Sequence, residues 1–453
     1  MCPARTRCPV AAQGMMMAGW GGIVVFGRGG AQLDHHHDTA AASPLTVDIG
    51  SVYQPIVELD GNGIVGFEAL TRVGPSSPWS TTPDLLMAAE SHDVLVDFDW
   101  RCRLTALRGA LDAGLPDGVM LFVNAEPVAL ETPPPRRSST VLAQARGLSI
   151  VIEITERNLL RDPARLLRAV EHARHLGWRV AVDDVGADSS SLALLPFLRP
   201  DVIKLDMGLV QSRPTAHTAA VVSAVAAEAD RTGARIVAEG IETEEHLRTA
   251  LDMGAGWGQG YLFGPPAPLP AFGSGAPRVV PEAHDVAVTV RAPAAVTPYG
   301  VVSAATRPRR ADEALIGALG SGLLLSAMTA GPSTIVLVTT GSSLSLSRVH
   351  AAAVNDVAAH SALTVVFGTR DPESVRPDTS DAHHRYREVA VGPNEPLAEE
   401  HSIVVVSPVL TVALVALRIG VGPGGTTMYD YRLTHARDVV LDAATTLLQR
   451  IGS

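Results

Sequence analysis

Between Val47 and about Pro266, short β-branched runs alternate with longer amphipathic stretches, and this alternation narrows the possible folds more than any other feature. The runs are Val52–Glu58, Gly66–Thr71, Val119–Asn124, Ser149–Ile154, Arg179–Asp183, Val202–Leu205, Arg235–Ala238 and Gly260–Phe263. Between them lie helical patterns such as Pro83–Ala113, Pro163–Leu176, Ala216–Thr232 and Glu244–Met253. Eight strands alternating mostly with helices over about 220 residues predict an α/β protein built on a (β/α)8, TIM-like barrel. The first two runs are joined by Leu59-Asp60-Gly61-Asn62-Gly63, which reads as a hairpin turn, so an antiparallel first strand pair is expected.

The apolar runs tend to end on polar residues. Glu68, Asn124, Glu153, the Asp183-Asp184 pair and Glu239 close successive strands, Lys204 lies in the sixth, and the eighth starts near Gln259. In a parallel barrel these strand ends converge on the ligand-binding rim. One such carboxylate is usually a solvated loop residue. Six acids or amides on the same rim are a constellation. Carboxylates crowded into a partly buried site repel one another and take up protons unless a cation joins them. Oxygen-only ligands favour hard ions, so Mg²⁺ or Mn²⁺ is expected, with Ca²⁺ as an inhibitory substitute. Lys204 adds a fixed cation, and Arg72 is suited to gripping a phosphate bidentately.

Residues 47–266 resemble the EAL-domain family of cyclic-di-GMP phosphodiesterases. The resemblance rests on Tyr53-Gln54-Pro55-Ile56, Glu68-Ala69-Leu70 followed by Arg72, Asn124, Glu153-Ile154-Thr155-Glu156, Asp183-Asp184, Lys204-Leu205-Asp206, Ala238-Glu239-Gly240-Ile241-Glu242-Thr243 and Gln259-Gly260-Tyr261. It implies metal-dependent hydrolysis of cyclic-di-GMP to linear pGpG. It implies one metal held by Glu68, Asn124, Glu153 and Asp183, and a second served by Asp183, Asp184 and Glu239. By the same resemblance Lys204, Glu239 and Asp184 are catalytic, Lys204 by orienting the attacking water. Gln54, Leu70, Arg72 and Gln259 contact substrate, Glu156 steadies the loop after the fifth strand, and the barrel forms a homodimer.

That loop departs from the family pattern. Where the family carries Asp-Asp-Phe-Gly-Thr-Gly and then an aromatic residue, this chain has Asp183-Asp184-Val185-Gly186-Ala187-Asp188-Ser189. Both aspartates remain. Asp188 replaces a residue free to adopt positive φ. The departure leaves open a second expectation, a catalytically weak or inactive barrel that acts as a cyclic-di-GMP receptor. A metallohydrolase for another phosphodiester is a third.

Residues 1–46 are expected to be a disordered leader, with Met15 to Met17 as an alternative start and Asp34-His35-His36-His37-Asp38 as a solvated tail rather than a metal site. The apolar stretch Gly14–Phe26 is short for a membrane span. Residues 267–310, punctuated by proline, are expected to be a linker. Residues 311–453 are expected to form a smaller α/β domain. Its helices are Ala311–Thr329, Arg348–His360 and Arg437–Ile451, the last capped by Thr434. Its strands are Thr334–Thr339, Leu363–Gly368, Ser402–Ser407 and Val412–Arg418. Through Tyr429–Asp438 this region resembles the DICT family of sensory modules, implying control by an unidentified signal. A net charge of −11 argues against a nucleic-acid polymer as partner. The three cysteines, Cys2, Cys8 and Cys102, form no disulfide framework and fit a cytoplasmic protein.

Overall fold

A computed structural model describes residues 43–61, 63–155, 160–188, 191–270, 272, 278–280, 296–341, 344–369 and 386–452. The leader with Asp34–Asp38, Cys2 and Cys8, together with Glu156 and Ser189, lies outside the described residues. Among the described residues no helix is long and apolar enough to cross a membrane.

Eight strands close into a barrel in chain order: β1 Ile49–Glu58, β2 Ile64–Val73, β3 Met120–Asn124, β4 Ser149–Thr155, β5 Arg179–Val185, β6 Val202–Leu205, β7 Arg235–Ala238 and β8 Trp257–Gln259. β1 is antiparallel to both neighbours, β2 and β8, as the hairpin turn predicts. The other neighbours are parallel. Alternation along each strand builds two apolar layers. Inward, Ile56, Met120, Phe122, Val151, Ala181, Val202, Val237 and Trp257 fill the barrel. Outward, residues such as Phe67, Leu121, Ile152, Val182 and Ile203 pack against the helices.

Two expectations are corrected here. The eighth strand is Trp257–Gln259, not Gly260–Phe263. Trp257 and Gly258 pair with Val237 and Ala238, Gln259 pairs with Ile56, and the chain then turns at Gly260. A Cβ on Gly260 would stand 2.1 Å from the carbonyl oxygen of Ile241, so the backbones touch there. Gly260→Ala is expected to lower stability by about 1–3 kcal/mol, the range for overpacking; a denaturant midpoint unchanged from wild type would contradict this. The second correction concerns Pro83–Ala113, which divides into helices Thr82–Ser91 and Leu95–Asp112. The break falls at Asp93 (φ +58°), a residue type that tolerates the left-handed region better than most.

The expected linker is partly structured. The backbone of Ile64 receives a hydrogen bond from Val280 and donates one to Arg278, and the Val280 side chain packs under the inner barrel layer. Farther on, a helix spans Pro298–Ala305 and β9 spans Arg309–Asp312, so the C-terminal fold begins before residue 311. β9 was hidden because a strand reading Arg-Arg-Ala-Asp has no apolar alternation. It lies at a sheet edge, where charge is favoured. The helix expected from Ala311 starts at Glu313, because the Asp312 side chain caps it by accepting from Leu315 N at 3.0 Å.

The expected C-terminal strands appear as β10 Ile335–Thr340, β11 Leu363–Thr369, β13 Glu400–Val406 and β14 Thr411–Val421, joined by β12 Arg387–Val391 and β15 Thr427–Thr434. The sheet order is β12-β11-β10-β13-β14-β15-β9. Helices Glu313–Met328 and Leu344–Ala358 cover one face, and Pro298–Ala305 and Arg437–Leu448 cover the other. Thr434 ends β15 and does not cap the last helix. That helix starts after Ala436, whose amide donates to Thr434 Oγ1 at 3.2 Å.

Candidate metal centre

The site follows from strand periodicity. Two residues beyond each inward apolar side chain stands a polar one: Phe122 and Asn124, Val151 and Glu153, Ala181 and Asp183, Val202 and Lys204, Val237 and Glu239, Trp257 and Gln259. Side chains two apart share a face, so the polar set forms one layer directly above the apolar one. Register brings Gln54 opposite Glu68 and Asn124 opposite Glu153.

Lys204 stands at the centre, fully buried. Its Nζ lies 2.7 Å from Glu153 Oε1, 2.7 Å from Glu239 Oε1, 2.9 Å from Asp183 Oδ1 and 3.4 Å from Glu68 Oε2. Asn124 Nδ2 donates to Glu153 Oε2 at 3.2 Å. Gln259 Nε2 donates to Glu68 Oε2 at 2.6 Å and to Gln54 Oε1 at 3.0 Å, so Gln259, on β8, holds Glu68 and is itself held by Gln54 on β1. Asp184 is held at φ +57°, a left-handed conformation that a non-glycine residue adopts at a cost of about 1–2 kcal/mol. That backbone turn gives consecutive aspartates a common target despite strand alternation. Carboxylate oxygens of Glu68, Glu153 and Asp183 lie within 4.8 Å of one another, and so do those of Asp183, Asp184 and Glu239.

One ammonium does not neutralise this set. Burial pushes Glu153 well above the usual carboxylate range, and Glu68 pushes it further, while Lys204 acts in the opposite sense. Burial raises Glu239 likewise, against the pull of Lys204. Burial works to lower the Lys204 pKa, but Asp183, Glu153, Glu239 and Glu68 together hold it well above its ordinary value. Glu153 Oε1 and Asp183 Oδ1 are buried and lie 2.7 and 2.9 Å from Lys204 Nζ, a single ammonium shared among four carboxylates. Buried carboxylate oxygens that outnumber the cationic charge beside them, packed in overlapping groups, fit hard divalent cations.

A pH dependence follows for the metal-free protein. The folded pKa values of Glu153 and Glu239 are raised, so between the ordinary carboxylate range and those values the native state binds more protons than the unfolded one. Metal-free stability is therefore expected to fall as pH rises through that window. Mn²⁺ binding is expected to release protons. Calorimetry of Mn²⁺ binding in buffers of different ionisation enthalpy checks this, and an enthalpy independent of buffer would refute it.

Several expected site residues stand apart from the cluster. Arg72 is exposed, with Nη1 on the carbonyl of Thr71 at 3.0 Å, and Leu70 is half-buried. Both belong to β2, whose Glu68 enters the cluster. Sequence reasoning missed two loop ties. Gln211 Nε2 donates to Gly240 O at 2.8 Å, and His217 Nε2 lies 2.9 Å from Gly186 O. No local pattern marks such side-chain-to-backbone contacts.

Residues 46–266 match the EAL domain family. Among curated proteins, the cyclic di-GMP phosphodiesterase RocR of Pseudomonas aeruginosa is 33% identical over 228 residues, covering 49% of this chain and 58% of RocR. The probable cyclic di-GMP phosphodiesterase PdeN of Escherichia coli is 32% identical over 228 residues, covering 49% of this chain and 44% of PdeN. The chain thus spans about half the length of the curated relatives it matches. Among solved structures, Klebsiella pneumoniae BlrP1 in a manganese/cyclic-diGMP complex is 28% identical, covering 48% of this chain and 56% of that chain, with a TM-score of 0.43. The match to the EAL domain family thus covers the barrel of this chain from β1 to β8.

Proposed function

We propose that the chain hydrolyses cyclic-di-GMP to linear pGpG with two divalent cations, Mg²⁺ or Mn²⁺. The observation that carries this reading is the set of carboxylates gathered round Lys204 at the rim of an EAL barrel. Its relatives named as cyclic di-GMP phosphodiesterases support the substrate. Glu68, Asn124, Glu153 and Asp183 would hold one ion, and Asp183, Asp184 and Glu239 the other. When bound, the ions lower the pKa of attacking water and offset the charge that grows on the phosphoryl oxygens.

The chain's own residues do the rest. Lys204 keeps a permanent positive charge, fixed by Glu153, Asp183 and Glu239, near the reacting phosphodiester and its water. Gln259 steadies Glu68, Gln54 holds Gln259, and the pair lines the same edge of the rim for substrate. Arg72, exposed four residues beyond Glu68 on β2, would swing onto a phosphate. The reading includes a homodimer through the barrel, a cytoplasmic setting and control by the C-terminal domain. That domain reaches the barrel at Arg387, whose Nη1 and Nη2 donate to the carbonyls of Arg161 and Leu160 at 2.8 and 2.7 Å.

Incubating the purified chain with cyclic-di-GMP, with and without Mn²⁺, tests the proposal. Metal-dependent appearance of pGpG is expected. Tight binding of intact cyclic-di-GMP without turnover would instead identify a receptor.

A further inference from the structure

The connection after β6 lies between the two rim loops that carry the second group of carboxylates. Its short helix Met207–Gln211 is capped by Asp206, whose side chain accepts from Gly208 N at 2.8 Å. On one side is the end of β5, with Asp183 and Asp184, and the loop that follows it. There Gly186, at φ +104°, comes so near that a Cβ would stand 2.5 Å from Leu209 Cδ1. On the other side is the loop after β7, with Glu239. There Gly240, at φ +67°, would place a Cβ 2.5 Å from Met207 Cβ. Backbone bonds join the same parts: Asp206 N to Val185 O at 3.1 Å and Glu239 N to Leu205 O at 3.1 Å. Two side chains then reach over. His217, near the start of helix Ala216–Thr232, meets Gly186 O, and Gln211 meets Gly240 O. A carbonyl can only accept, so His217 donates through Nε2–H.

We propose that His217 and Gln211 are positioning residues for the second metal site, and that they set its affinity without touching metal or substrate. The inference rests on the two-metal reading above. Asp184 keeps its left-handed backbone only while its surroundings enforce it, and the His217 bond fastens the loop two residues farther on. Gln211 fastens the loop one residue beyond Glu239. The first site is built differently. Glu68, Asn124 and Glu153 stand on β2, β3 and β4, and the shared Asp183 pairs with Thr155 within the sheet, so this set is fixed by strands rather than by the two loops. Loss of a tie therefore weakens one site and spares the other. In this chain the loop after β5 reads Val185-Gly186-Ala187-Asp188, and a tie from outside the loop steadies it.

The test is a calorimetric titration of the full chain with Mn²⁺ alone, without nucleotide. Wild type is expected to bind two ions. In His217→Ala one site is expected to weaken ten- to a hundredfold, as when outer partners of metal ligands are removed, while the other is unchanged. His217→Gln, which keeps a donor for Gly186 O, is expected to restore most of the loss. Gln211→Leu acts on the opposite loop and should weaken the same site, so the test survives if one variant does not fold. Equal weakening of both sites, or an unchanged isotherm in His217→Ala and Gln211→Leu, would overturn the inference and leave the two-metal reading intact. Wild type that binds no Mn²⁺ would overturn both.

Discussion

Lys204→Met is expected to remove about 3–5 kcal/mol of folding stability from the metal-free protein at neutral pH, the range for breaking a buried ion pair by deleting one partner. Lys204 is fully buried, and four carboxylates lie within 3.4 Å of its Nζ. Methionine fills similar volume, so the loss reports charge rather than a cavity. Glu153 and Glu239 already tend to hold protons, so the loss should shrink as pH falls and more of the cluster is neutralised. Mn²⁺ should recover part of it, because a divalent ion answers the same repulsion. At a concentration a hundred times the dissociation constant, a ligand adds about 2.7 kcal/mol. Urea unfolding at two pH values, with and without Mn²⁺, measures each part. A loss below about 1 kcal/mol under all conditions would show that Lys204 does not hold the cluster together.

Glu153→Gln is expected to have the opposite profile. Glu153 is buried, its pKa is raised, and an amide resembles its protonated form. Metal-free stability should therefore change by no more than about 1 kcal/mol, the size of one ordinary hydrogen bond. Binding to the first metal site should collapse, and with it several kcal/mol of transition-state stabilisation, on the order of a 10³-fold loss of hydrolysis. The measurements are initial rates with saturating Mn²⁺ and the Mn²⁺-induced rise in melting temperature. A variant that cleaves cyclic-di-GMP at more than a tenth of the wild-type rate would remove Glu153 from the metal set. The two neighbours are thus expected to differ in folding: Lys204→Met destabilises the metal-free protein, whereas Glu153→Gln leaves it folded and removes metal binding.

The barrel was legible because period-two alternation and a hairpin turn are local signals. The candidate site was legible for the same reason, since a polar residue two places after an inward apolar one needs no tertiary information. The eighth strand was misplaced because its three residues, Trp257, Gly258 and Gln259, are too few to show a period, while Tyr261-Leu262-Phe263 imitate one. β9 and β15 were missed because they carry charge and are fixed by pairing with each other. Lys204 was read as an aid to the nucleophile. Its contact with four carboxylates follows from barrel closure, which no stretch of sequence contains. The ties from Gln211 and His217 cross between loops distant in sequence and leave no local mark.

The half-buried Val280 packs against the inner apolar layer of the barrel, beyond the last residue of the matched family segment. The unit that folds is therefore longer than the unit that is recognised. An expression fragment ended at residue 266 would lose the Val280 packing and the backbone bonds of Ile64 to Arg278 and Val280, and is expected to be less stable than one ended at residue 280. An engineered exchange of the C-terminal domain is therefore expected to keep the barrel more stable when joined after residue 280 than after residue 266.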